Sequence, residues 1–97
     1  MKPLKFITSL TFIFMERNYN QTIRKVIAQK LGVDESDVLP QSELVADFGA
    51  DSLDLVEIMM KLEVVFDIKV SDDEMDSLRT VQDCYDLVEQ KLKSEKP

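Results

Sequence analysis

Ninety-seven residues are enough for one domain with a modest core. Two glycines and three prolines argue against a turn-rich all-β fold, the absence of histidine removes the usual base for a serine or cysteine nucleophile, and a single cysteine forbids an internal disulfide. The net charge of −7 is localised: residues 51–76 hold nine acids and two bases, so the rest of the chain is neutral, and such a field attracts basic protein surfaces and repels nucleic acid.

Residues 1–15 read as an N-terminal extension to a domain over residues 16–97. Met1-Lys2-Pro3-Leu4-Lys5 is basic, and Phe6 to Met15 is mostly apolar without the alternation of a strand. The run is too short to span a bilayer, and no small-residue cleavage site follows it. An over-extended start is the favoured reading, with a targeting segment or a packed extension as alternatives.

The first helix is expected to open at Asn18-Tyr19-Asn20-Gln21, which has capping-box spacing. Ile23, Val26, Ile27 and Leu31 follow at helical spacing, and Gly32 suits the residue just past the end. Residues 33–50 form a long connection, a length that is often functional. Its apolar residues Val33, Val38, Leu39, Leu44, Val45 and Phe48 are expected to anchor it across the helices, with short helical turns near Asp34 to Val38 and Ser42 to Val45.

A second helix is predicted from about Ser52 to Phe66 with Asp51 as its N-cap. Its apolar residues form two stripes. Leu55, Ile58, Met59, Leu62 and Phe66 cluster on one side; Leu53, Val56, Met60 and Val64 cluster on another, near Ser52. One stripe suffices for a core, so the second reads as a docking face, against the alternative of a helix buried nearly all round.

Ser71-Asp72-Asp73-Glu74 is a capping box for a short third helix, and Thr80-Val81-Gln82-Asp83 resembles one with aspartate in the reciprocal position. Val81, Cys84, Tyr85, Val88 and Leu92 then carry the inward stripe of a last helix. Phe66 to Val70 alternates like a strand but is too short to make a sheet alone. The fold class is therefore all-α: a small four-helix bundle, three longer helices and one short, with a long connection between the first two.

Phe48-Gly49-Ala50-Asp51-Ser52-Leu53-Asp54 is the stretch that carries function. It sets a serine at the start of an amphipathic helix between two aspartates, with a flexible, unbulky Gly-Ala approach. Without a histidine to activate it, this hydroxyl reads as an attachment point modified by another enzyme. Cys84 on an inward stripe reads as core rather than a reactive thiol. Asp34-Glu35-Ser36-Asp37-Val38-Leu39 lacks the glycine of an EF-hand loop, and no zinc spacing or phosphate-binding glycine loop is present.

The run Asp51-Ser52-Leu53, with Gly49-Ala50 before it and Leu55-Val56-Glu57-Ile58-Met59-Met60-Lys61-Leu62-Glu63 after it, resembles the attachment motif of acyl carrier proteins, and the likeness extends over roughly Glu16 to Lys93. The resemblance implies a stand-alone carrier of the fatty-acid or polyketide type. Ser52 would bear 4′-phosphopantetheine through a phosphodiester, placed there by a phosphopantetheinyl transferase. The arm's thiol would hold acyl chains sheltered in the bundle interior and delivered to ketosynthases and acyltransferases. The same resemblance gives Asp51 and Asp54 to transferase recruitment and Leu53, Val56, Glu57, Met60 and Glu63 to partner contact. It implies no catalysis by the chain itself, no metal, no membrane, a monomer and a cytoplasmic location. Lys61, Val64 and Val65 depart from the family's acidic pattern late in this helix, which points to a specialised partner set. Rival readings are an aminoacyl or peptidyl carrier, an unmodified helical adaptor, and a Gly-Asp-Ser-Leu hydrolase, against which Ala50 and the missing histidine both count.

Overall fold

The computed structural model describes residues 19–94, which form four helices and no strand. The predicted cap at Asn18 and the apolar run before it lie outside the described residues. The described part of the first helix, α1, covers residues 19–31. Ile23, Val26, Ile27 and Ala28 give it a buried face. It stops at Gly32, whose φ of 69° lies in the left-handed region that favours glycine. The Val33 N–H then closes back onto the Ala28 carbonyl at 3.0 Å, satisfying one of the carbonyls that a helix end leaves open.

The connection is short turns rather than free coil. Glu35–Asp37 forms a 3-10 turn, and bonds from Asp47 N to Glu43 O and Gly49 N to Val45 O, both 2.9 Å and each spanning four residues, form a second turn of α type slightly beyond the expected Ser42 to Val45. The connection lies along the entry to the last helix. Leu44 N donates to Arg79 O, Val81 N to Ser42 O and Gln82 N to Pro40 O, and Glu43 and Thr80 make an antiparallel bridge. Val38 and Leu44 are fully buried, and Val33 and Phe48 pack partly against the core. Leu39 and Val45, expected as anchors, are exposed instead. In the second turn Leu44 and Phe48, four residues apart, share the inner face, so Val45 between them points outward. Leu39 belongs to the turn closed by Ser42, whose hydroxyl accepts the Leu39 N–H at 3.1 Å.

The second helix, α2, is Ser52–Phe66 with Asp51 as N-cap, as predicted. Its two stripes separate: Ile58, Met59 and Leu62 are buried, with Leu55 and Phe66 packed beside them, while Leu53, Met60 and Val64 are exposed and Val56 is half-buried. The helix ends at Asp67, left-handed at φ 55°, a conformation that aspartate tolerates better than most residues. That reversal breaks the alternation of Phe66 to Val70 and sends Ile68 into the core. Then α3, Asp72–Asp76, opens on the predicted Ser71–Glu74 box, both bonds present at 2.9 and 3.2 Å. The last helix, α4, is Val81–Ser94. Thr80 Oγ1 accepts the Asp83 N–H at 3.1 Å, and Asp83 Oδ2 accepts the Thr80 and Arg79 N–H groups at 2.9 Å each, so aspartate completes this box.

Helix α2 packs against α3 and α4, and the contacts of Tyr19 with Phe66 and of Lys30 with Glu57 set α1 beside it in the opposite direction. Tyr19 meets Phe66 edge to face at one end of the α1–α2 pair, with ring centres 5.3 Å apart, and Lys30 pairs with Glu57 at the other. Lys91 of α4 reaches Glu74 of α3 at 2.9 Å. The core includes Leu87, which the predicted α4 stripe omits, and Cys84, whose thiol burial pushes up to about 12, far from reactive. Among the described residues no helix is long and apolar enough to cross a membrane.

Candidate functional site

The approach to Ser52 is built from both sides. Gly49 has a φ of 71°, and a side chain added there would meet nothing, so the backbone conformation rather than space calls for glycine. Ala50 is buried, and its N–H donates to the Leu44 carbonyl at 3.0 Å. The Gly-Ala approach is therefore an anchored turn, not the flexible one expected, because Leu44 is itself fixed to Arg79.

Asp51 follows in extended conformation. Its Oδ1 accepts the Asp54 N–H at 2.9 Å, and Asp54 Oδ2 accepts the Asp51 N–H at 3.1 Å. The two aspartates thus make a reciprocal capping box around Ser52 and Leu53, a use for Asp54 that sequence spacing alone did not single out. Ser52 is the first helical residue and is exposed, with no hydrogen bond from the described residues holding its hydroxyl. It sits where the positive end of the helix dipole favours an anionic substituent. An accessible hydroxyl in a fixed turn at a helix start fits a bulky phosphodiester. The two nearest carboxylates, Asp51 and Asp54, are turned onto each other's backbone N–H groups rather than onto this hydroxyl. Among the described residues no group of three or more histidine, cysteine or acidic side chains is placed to hold a metal.

The predicted contact residues share α2 but not one role. Leu53, Met60 and Val64 are 62%, 56% and 80% exposed and recur along one ridge, roughly 16 Å long at 1.5 Å per residue. Val56 lies half-buried beside it. Glu57 is held by Lys30, whose ammonium is kept protonated above its usual range chiefly by that hydrogen bond, with further attraction from Glu57 and Asp54. Glu63 turns the other way, its Oε2 accepting the Val70 N–H at 2.8 Å to hold the chain after α2. Sequence reasoning missed Lys30, because a residue on another helix gives no local signal; Val65, named with Lys61 and Val64 as a departure from the family's pattern, is 45% exposed.

The comparisons agree with this geometry. A family model described as the phosphopantetheine attachment site matches residues 21–88. Among solved structures, the crystal structure of an acyl carrier protein from Thermotoga maritima superposes with a TM-score of 0.69 at 25% sequence identity, over 81% of this chain and 92% of that one.

Proposed function

This chain belongs to the acyl carrier protein family, whose members carry covalent 4′-phosphopantetheine, and on that premise we propose that Ser52 is the residue that bears it. The observation that carries the reading is the exposed, unbonded hydroxyl at the first position of α2, inside the matched segment. Four other described serines are worse placed. Ser42 is buried, Ser71 caps α3, Ser77 donates its hydroxyl to the Glu74 carbonyl at 2.8 Å, and Ser36 lies in a 3-10 turn with no long helix after it.

When bound, the group supplies a terminal thiol that holds acyl chains as thioesters. The chain's own residues do the rest. Asp51 and Asp54 fix the turn and present the hydroxyl to a phosphopantetheinyl transferase. The ridge of Leu53, Met60 and Val64 docks ketosynthases and acyltransferases of fatty-acid or polyketide synthesis. The interior between the helices shelters the acyl chain. The protein performs no reaction itself and works as a cytoplasmic monomer.

Intact mass tests the assignment. Incubation with coenzyme A and a phosphopantetheinyl transferase should add one phosphopantetheine, and Ser52→Ala should abolish the addition with helicity unchanged. Addition that survives Ser52→Ala would overturn it.

A further inference from the structure

The lower half of α2 differs chemically from the end that carries Ser52. All three acids within the helix are engaged inside the fold: Asp54 with the Asp51 N–H, Glu57 with Lys30 and Glu63 with the Val70 N–H. Past Glu57 the exposed residues of the helix are Met60, Lys61, Val64 and Val65; the next exposed acid, Asp67, is the residue that caps its end. No carboxylate among the described residues pairs with Lys61. Lys61 also borders an open cavity of about 210 Å³ between α1 and α2, to which Val26 and Ile58 give an apolar lining and Gln29, Lys30 and Glu57 a polar one.

We infer that this half of α2 docks a partner surface that is apolar and bears a carboxylate. The apolar strip lies on Met60, Val64 and Val65, and the carboxylate enters the α1–α2 cavity to pair with Lys61. The inference rests on the carrier reading, because the partner is a protein drawn to the Ser52 end. Charge complementarity sets its chemistry. A basic patch suits Asp51 and Asp54 but meets Lys61 two turns on, roughly 10 Å along the axis. That separation is about a Debye length in physiological salt, so the two ends act nearly independently. A partner with cations at one end and a carboxylate at the other fits in one direction only, and a uniformly basic one is disfavoured.

The probe is a ketosynthase whose docking rim carries lysine and arginine without carboxylates. Lys61→Glu combined with Val64→Glu changes only exposed side chains, which circular dichroism checks. The double variant should associate with this rim about tenfold faster than the parent chain, with a steeper salt dependence. Equal rates would overturn the inference. In a second arm, single rim Arg→Glu changes in the ketosynthase are scanned. At least one should speed the parent chain and slow Lys61→Glu, and if none does, the carboxylate assignment falls. Loading at residue 52 is followed separately by intact mass, and rates are measured on loaded and unloaded protein. Failed loading therefore counts against the carrier reading, and unchanged rates count against the docking inference alone.

Discussion

Leu62→Ala and Met60→Ala each replace a long apolar side chain of α2 by a methyl group, two residues apart, and the fold assigns them opposite consequences. Leu62 is fully buried between the helices, so truncation loses about 2.4 kcal/mol of transfer energy at ~0.8 kcal/mol per methylene. The cavity left behind raises the expected cost into the range of about 2.7–5 kcal/mol. A chain of this size is stabilised by about 5–15 kcal/mol in all. At roughly 4–8 °C per kcal/mol, a 3 kcal/mol loss lowers the melting temperature by about 12–24 °C. Met60 is 56% exposed, and alanine is the better helix former, so its loss should stay below about 1 kcal/mol. Thermal and urea denaturation followed by circular dichroism measure both. Partner transfer, measured on the same proteins, should fall for Met60→Ala. If Met60→Ala destabilised the protein as much as Leu62→Ala, the ridge would be core and the docking face would lie elsewhere.

Charge and acid sensitivity give two further tests. Asp54→Asn keeps an acceptor for the Asp51 N–H but removes an acid beside Ser52, so it should slow partner association and flatten its salt dependence; Glu89→Gln on α4, where Glu89 pairs with Lys93 at 3.2 Å, should do much less, and equal effects would mean that only net charge matters. The Asp83 carboxyl is held below its ordinary 3.8, first by the Thr80 N–H, against the opposing effect of partial burial. A depressed acid stabilises the fold above its unfolded value and loses that contribution as pH falls through the folded one. The stability gap between the parent chain and Asp83→Asn should therefore be full above about pH 5 and close progressively below 3.8. A gap that stayed constant in urea titrations down to pH 2.5 would remove Asp83 from the acid response.

Features written in local spacing were legible in the sequence. Ser71 with Glu74, and Thr80 with Asp83, are three residues apart and make their boxes whatever the rest of the chain does. The bounds of α2 and the split between its Leu62 and Met60 faces follow from one cap and one period. The connection was less legible. Leu39 and Val45 are as apolar as Leu44 and Phe48, and only the pairing of residues 40–44 with 79–82, closed over a long loop, decides which of them turn inward. Charge was the least legible. Residues 51–76 carry the same nine acids in the sequence and in the fold, but Lys30 comes from the preceding helix to hold Glu57, and the chain reverses at Asp67 to bring the Val70 N–H onto Glu63. Neither partner is near in sequence. Glu57 is the one acid of α2 whose charge a cation meets, Glu63 is drawn toward Val70, and Lys61 adds a positive charge, so the acid field along α2 is strongest where Asp51 and Asp54 flank Ser52 and weaker beside Met60 and Val64. A count along the chain gives the size of that field, whereas the partners of individual carboxylates give its direction. The basic side chains of any docking enzyme should accordingly gather at the Ser52 end of the helix.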